Sequence, residues 1–540
     1  MAAICRVEKV VTIQTDNKDN NVFLIPDKMT KSKSILPALI AITIPFFSAQ
    51  VHGQKKPNII LFLIDDLGWA DLEITGSKFY ETPHLDKLAR EGVFFTDAYA
   101  ANPVCSPTRA SVLTGKYPSR IGLTNHSGSR GPMGPNHMLT PPEVVGNMPP
   151  EDVTLAEALK NAGYTTAHIG KWHLQAHHMK GREHYPEANG FDLNIAGHKM
   201  GQPGDYYFPY TSKQHPSTNV PDMADGKEGD YLTDALTDKA IAFIKQQGGQ
   251  GEQPFFLNFW YYTVHTPIIP DKTKLKKYTQ KAKAMGLDQK NADGIKDHQS
   301  ISRSVPSSAA YACMVESMDQ NIGRIIATLK KCGMFENTII VFLSDNGGLS
   351  TGSGPNSPTS SLPLRAGKAW VYEGGIRSPL IISYPAGVKA GLEVDVPAVS
   401  TDIYPTLLDL AGLPLMTEQH VDGVSLRPLL DGKKTTLGRE AIYFHYPHYH
   451  HINTMGPAGA VRMGDYKLIE VYETGKLELY NLREDLGEQN DLAKQKPELA
   501  AKMKKMLHDW RTQTDSKMTK LNPGYNQAND WRKKSRKAVK

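Results

Sequence analysis

Asn58-Ile59-Ile60-Leu61-Phe62-Leu63-Ile64-Asp65-Asp66 is an unbroken apolar run closed by two carboxylates. A run of this length with no polar alternation describes a strand covered on both faces, and such strands belong to largely parallel sheets flanked by helices. Working outward, similar runs recur at 165–169, 255–262, 338–343 and 379–383, with helical patterns between them. The alternation predicts an α/β domain built on a large, mostly parallel sheet with helices on both faces.

The residues just past each run carry the chemistry. The first run ends in Asp65 and Asp66; 165–169 ends in Gly170, Lys171, Trp172 and His173; 255–262 leads to His265; 338–343 ends in Ser344, Asp345 and Asn346. Ligands of open α/β sheets bind outside the carboxyl ends of the strands. Acids, bases and cations far apart in sequence are therefore expected at one edge, joined there by the Gly/Ser/Pro-rich loop 347–363.

Past residues 423–432 the pattern changes to short, turn-separated runs at 441–445, 460–463, 466–470 and 477–480, with a helical stretch after them at about 497–514. This reads as a smaller antiparallel sheet with a helix on it. The expected divisions are 54–434 for the main domain, 435–522 for the smaller α+β unit and 523–540 for a basic tail.

Composition adds little: 540 residues, 40% hydrophobic and 22% charged, describe an ordinary globular chain. The net charge of +6 is matched by six cations in the last nine residues, Arg532, Lys533, Lys534, Arg536, Lys537 and Lys540. A basic end of this kind is a solvated tail and gives no argument for nucleic-acid binding. Lys31 and Lys33 precede an apolar run, 35–47, with small residues at Ser48, Ala49 and Gly53; the run is short for a bilayer span and has the layout of a leader. Translation from Met29 would make 29–53 a signal peptide and 1–28 a spurious extension. An exported, periplasmic or extracellular protein is expected, not an integral membrane protein. Of the four cysteines, Cys5 would be lost with the leader. Cys313 and Cys332 sit toward the two ends of a helical stretch, roughly 28 Å apart, too far for a disulfide. That leaves Cys105 for chemistry, or for nothing.

Cys105-Ser106-Pro107-Thr108-Arg109, continued by Leu113-Thr114-Gly115, is the most specific pattern in the chain. Pro107 suits the first turn of a helix, so Cys105 is expected at a helix N-terminus, with Arg109 one turn on along the same face. The segment resembles the sulfatase signature C-x-P-x-R with the T-G that comes after it. The resemblance runs from about 57 to about 482 and includes Asp65-Asp66, Gly170-Lys171-Trp172-His173, His265-Thr266-Pro267, Asp345-Asn346-Gly347 and Gly367-Lys368 with Glu373-Gly374-Gly375-Ile376-Arg377. In order, these motifs make the chain similar to formylglycine-dependent type I sulfatases of the alkaline-phosphatase-like superfamily.

The resemblance implies a sulfuric ester hydrolase whose Cys105 is oxidised to formylglycine by a formylglycine-generating or sulfatase-maturing enzyme. Asp65, Asp66, Asp345 and Asn346 offer oxygen donors only, which suits a hard cation, calcium ahead of magnesium, with an oxygen of residue 105 completing the set. By the family's mechanism the hydrated aldehyde attacks sulfur, with Arg109 and the metal stabilising its ionised form. Lys171 and Lys368 clamp sulfate oxygens, His265 protonates the leaving group, and His173 takes a proton from the second hydroxyl to expel sulfate.

Family analogy and export point to a sulfated sugar or polysaccharide. Besides Lys171, His265 and Lys368, substrate contacts are expected from His445 and His448 in the aromatic and imidazole stretch 444–451, and from His177, His178 and 198–207. A phosphate or phosphonate monoester hydrolase of the same superfamily, or a non-catalytic binding homologue, are the alternatives.

Overall fold

A computed structural model describes residues 55–129, 136–249, 251, 253–290 and 294–533. The expected leader, the extension before it and residues 534–540 of the expected tail 523–540 lie outside these residues; residues 523–533 are not a solvated end, since Trp531 N–H donates to Asn136 O at 3.1 Å and Arg532 pairs with Glu473. The eight strands of the main sheet are β1 Asn58–Ile64, β2 Val93–Phe95, β3 Thr165–Gly170, β4 Leu193–Ile195, β5 Phe255–Trp260, β6 Thr338–Ser344, β7 Leu380–Ser383 and β8 Leu392–Val394. Their order across the sheet is β8-β2-β7-β6-β1-β5-β3-β4. β1 lies parallel between β6 and β5, whereas β7 is antiparallel to both its neighbours. The expected α/β class therefore stands, with one reversed strand.

β1 is apolar throughout because both its faces are covered. Ile60, Phe62 and Ile64 face one core with the helices Leu232–Gly249 (α2) and Ala309–Lys331 (α3). Ile59, Leu61 and Leu63 face the other with Cys105–Thr114 (α1) and Ile403–Leu410 (α4). Each such buried side chain contributes about 1.5–3 kcal/mol, which anchors the parallel strands that carry the site acids at their ends. α3 starts at the Ser308 cap, whose hydroxyl accepts from Tyr311 N–H. Cys313 within it and Cys332 just past its end are both free thiols.

The C-terminal part forms a four-stranded antiparallel sheet of β9 Ala441–Tyr446, β10 Ala458–Met463, β11 Tyr466–Val471 and β12 Lys476–Asn481, with the helix Pro497–Gln513 (α5) against it. Its apolar face and α5 share one cluster with Tyr99, Val104, Trp370 and Tyr372. The small sheet thus buttresses the two segments that deliver Cys105 and Lys368. Among the described residues, no helix is long and apolar enough to cross a membrane.

Candidate active site

The register Ile64↔Ser344 between β1 and β6 places Asp65 and Asp66 beside Asp345 and Asn346 as the two strands end. Asp66 N–H donates to Asp345 Oδ1 at 3.1 Å, and Asn346 Nδ2 donates to Asp66 Oδ1 at 2.8 Å. Two strands away, β3 ends at Gly170 with φ of +104°, where a Cβ would lie 2.0 Å from Trp260 O. Only glycine fits that approach, and it turns Lys171 inward.

Cys105 is the first residue of α1, after the extended Val104. Its Sγ lies 3.5 Å from Asp65 Oδ1, 3.8 Å from Asp66 Oδ1 and 3.5 Å from Lys368 Nζ. Each carboxylate has its own cation. Lys171 Nζ is 2.7 Å from Asp65 Oδ2, Lys368 Nζ is 2.6 Å from Asp66 Oδ1, and Arg109 donates to Asp345 Oδ2 through Nε at 3.0 Å and Nη2 at 2.6 Å. Asp66, His173, Ala366 and Ala369 all hold positive φ, the last two flanking Lys368. Strain of this kind persists where packing over-determines the backbone, as at a binding site.

Burial raises the Asp65 carboxyl to about 8 against the pull of Lys171. Burial would raise Asp66 as well, but Lys368, His265 and Lys171 together hold it below the usual carboxylate range. Burial pushes the Cys105 thiol far up, so a bare thiolate here is disfavoured.

His265 Nδ1 lies 2.7 Å from Thr266 O, an acceptor, so Nδ1 carries a proton and donates. Nε2 then points toward Asp66 Oδ2 at 3.6 Å. Burial, and after it Lys368, lowers this ring to about 3, with Asp66 opposing. His173 stacks between His126 and His177 at 5.8 Å from each, and burial with Lys171 takes it well below its ordinary value. A nitrogen of His126, one of His173 and the Cys105 sulfur all lie within 4.8 Å of one another.

These groups open into a cavity of about 600 Å³ lined also by His215, Ser217, Thr218, His450 and His451. His177 and Met200 to Gln202 line it as well, within the stretches expected to reach substrate. His445 and His448 do not. His445 is buried against Tyr472 Oη at 2.7 Å and Lys517 O at 3.1 Å, and His448 Nε2 bonds Thr124 Oγ1 at 2.8 Å. β9 runs one residue further than expected, and its alternation turns His445 away from the core face shared by Phe444 and Tyr446. His126 was missed because it sits in a loop without periodicity.

The donor set can be tested for a cation. Asn346 Oδ1 is buried without a hydrogen-bond partner among the described residues, beside the carboxylates of Asp66 and Asp345. A buried amide oxygen left unpaired is costly, and a hard cation among these oxygens would satisfy it. The residues present fit calcium.

Acid-lined strand ends, a buried cysteine at a helix start and a ring of cations are an arrangement that suits a hydrolase of the alkaline-phosphatase-like class. Residues 57–413 match the family model described as Sulfatase, and 366–513 match that of N-sulphoglucosamine sulphohydrolase, C-terminal. The chain belongs to the sulfatase family and is a sulfuric ester hydrolase. It is 33% identical to a sulfatase of Formosa agariphila, covering 85% of this chain and 89% of that one. Human N-acetylgalactosamine-6-sulfatase is 34% identical, covering 71% of this chain and 67% of that one. The structure of Ps i-CgsB aligns at a TM-score of 0.66 with 29% identity, covering 88% of this chain and 97% of that one.

Proposed function

We propose that the chain is an exported sulfatase of sulfated sugars or polysaccharides, matured by conversion of Cys105 to formylglycine and dependent on bound calcium. The observation that carries this reading is the placement of Cys105 at the start of α1, within reach of Asp65, Asp66 and Lys368 at once. Residues 54–434 would be the catalytic domain and 435–522 the supporting subdomain.

Formylglycine at 105 would supply the nucleophilic oxygen that an unmodified thiol lacks. Calcium would be held by Asp65, Asp66, Asp345 and Asn346 and would supply positive charge to this end of the site. Lys171 and Lys368 bind sulfate oxygens and hold the charge that develops there. Arg109, fixed by Asp345 and lying over the Trp260 ring at 5.1 Å, keeps a positive field at the base of α1. His173, held neutral, accepts the proton from residue 105 that accompanies sulfate release. His265 protonates the leaving alkoxide from Nε2; the bound ester's negative charge offsets Lys368 and raises the ring toward a working acid.

The cavity favours a sugar. Imidazoles, hydroxyls and the Gln202 amide offer hydrogen bonds to sugar hydroxyls, and Met200, Leu349 and Ile452 between them offer apolar contact to a ring face. Relatives named N-acetylgalactosamine-6-sulfatase and a solved complex of Ps i-CgsB with k-i-k-neocarrahexaose support a saccharide, although rat steryl-sulfatase also matches at 32% identity. Sulfate release should be compared across N-acetylgalactosamine 6-sulfate, carrageenan oligosaccharides, a steryl sulfate, and matched 4-nitrophenyl sulfate and phosphate. A preference for the steryl ester, or for aryl phosphate over aryl sulfate, overturns the reading.

Two further outcomes are expected at this site. Stripping divalent ions with a chelator should cut turnover by about a hundredfold or more and lower the melting temperature. Calcium at about a hundred times its Kd should restore both, stabilising by about 2.7 kcal/mol, and magnesium should restore less. His265→Ala should slow alkyl sulfates by about a hundredfold while affecting 4-nitrophenyl sulfate far less, since a nitrophenolate needs no proton to leave. Equal losses on both substrates remove His265 from the acid role.

A further inference from the structure

Residues 520–533 lie beyond both family-model matches, which end at 413 and 513. They fold back across the molecule instead of leaving it. Lys520 and Leu521 pair with Thr140 and Leu139 as a short antiparallel ladder, and Asn522 extends it through N–H to Met138 O at 3.0 Å and Nδ2 to His137 O at 2.8 Å. At the other end, Trp531 N–H donates to Asn136 O at 3.1 Å, and its ring stacks on His137 and meets Tyr449 edge-on, each at 5.5 Å. Arg532 donates to Thr454 O and pairs with Glu473, which also accepts from Tyr449 Oη at 2.6 Å.

Tyr449 is the junction. Its hydroxyl accepts from Leu139 N–H at 3.0 Å, its ring lies 4.4 Å from His137, and the next two residues, His450 and His451, face the cavity. Asn453 then donates to Ala369 O at 2.7 Å, beside Lys368. His450 packs at 5.8 Å on His126, so both loops of this wall meet there. The strap residues themselves do not line the cavity.

We propose that residues 520–533 are a positioning strap for the cavity wall that carries His126, His450 and His451, with Trp531 and Arg532 as its positioning residues. The strap sets how a saccharide beyond the sulfated carbon is held, and it leaves the chemistry at sulfur alone. Of the groups assigned to sulfate, Lys171, Arg109 and Asp345 hang on β3, α1 and β6, away from the segments the strap pairs with, and Lys368 meets the wall only through its neighbour Ala369, whose carbonyl Asn453 holds, while its own ammonium is fixed by Asp66. The consequence for a saccharide rests on the sulfated-sugar reading; the consequence for the wall does not.

The test uses the full chain with Trp531→Ala, Trp531→Phe and a truncation after Thr519. On the saccharide of the panel above with the highest kcat/KM, Trp531→Ala and the truncation should raise KM by about tenfold with kcat nearly unchanged. Phenylalanine, which keeps an aromatic face between His137 and Tyr449, should recover most of the loss. All three should turn over 4-nitrophenyl sulfate within about twofold of the native chain. Hydrogen exchange, which needs no substrate, should quicken in 446–453 and 122–129 in the alanine variant while β1 stays protected. Equal losses on aryl and saccharide esters, no gain from phenylalanine, or unchanged exchange in both wall segments would each overturn the strap. If no saccharide of the panel is hydrolysed, the sugar reading falls, and exchange still decides whether the strap holds the wall.

Discussion

Cys105→Ala is expected to lower turnover by about four orders of magnitude or more, on aryl and alkyl sulfates alike, while leaving the fold in place. The loss is large because Asp65, Asp66 and Lys368 all converge on the side chain of residue 105. The adjacent hydroxyl offers no substitute: Ser106 is turned away, donating to His173 O at 2.8 Å. The fold should survive because alanine suits a first helical turn and the lost sulfur leaves space next to an open cavity. Intact-mass analysis must accompany the assay: residue 105 of active native protein should read as an aldehyde and that of protein made without a maturing enzyme as a thiol. Native protein that is fully active with an unmodified thiol would sink the formylglycine assignment, and an alanine variant retaining a tenth of the activity would remove residue 105 from the reaction.

The parts of this molecule that could be read from the chain share a physical cause. β1, β3, β5 and β6 are covered on both faces, so burial forces an unbroken apolar run, and the polar residue ending each run marks where the strand leaves the sheet. That single fact yields the strands and the positions of Asp65, Lys171 and Asp345 together. β2, β4 and β8 span three residues each, too short for any pattern to distinguish them from loop. The reversal of β7 is written in no residue of its own. It results from the path of 345–379, which crosses the site edge, carries Lys368, and returns without a crossover helix over the sheet. His126 is hidden for a related reason: loop residues are placed by whatever their neighbours pack on, and periodicity says nothing of that; His450 and His451, within the stretch 444–451 expected to reach substrate, do line the cavity. His445 lies inside the expected run 441–445, and strand alternation puts its ring opposite the face shared by Phe444 and Tyr446, away from the cavity.

The largest expected loss of stability lies away from the reaction, at Lys467 on β11. Its Nζ is 2.9 Å from Glu373 Oε1 and 2.9 Å from Glu488 Oε1, and all three side chains are fully buried. Glu373 also accepts from Tyr99 Oη at 2.8 Å and Arg377 Nη1 at 2.9 Å, and Glu488 accepts from Glu373 N–H at 2.7 Å. This knot ties the small sheet to the segment that runs on from Lys368. Lys467→Met keeps the shape and removes the ammonium, leaving Glu488 with a backbone donor and no cation; the expected loss is about 3–5 kcal/mol. The pH dependence identifies the cause. Burial raises the Glu488 carboxyl to about 7 despite Lys467; burial opposes ionisation of Glu373 too, but Lys467, Arg377 and Arg462 outweigh it and bring that carboxyl down to about 2. A carboxyl raised on folding favours the folded state below its unfolded value of 4.5 and loses that contribution as pH climbs through about 7. Without the ammonium, Glu488 moves higher still, so the deficit of Lys467→Met relative to the native chain should be larger at pH 8 than at pH 6. Adding Glu488→Gln should recover much of it at pH 8, because the amide carries no charge to bury. Denaturant midpoints at the two pH values decide the matter: a deficit independent of pH, unrelieved by the second substitution, would mean that Lys467 acts by packing and not by charge.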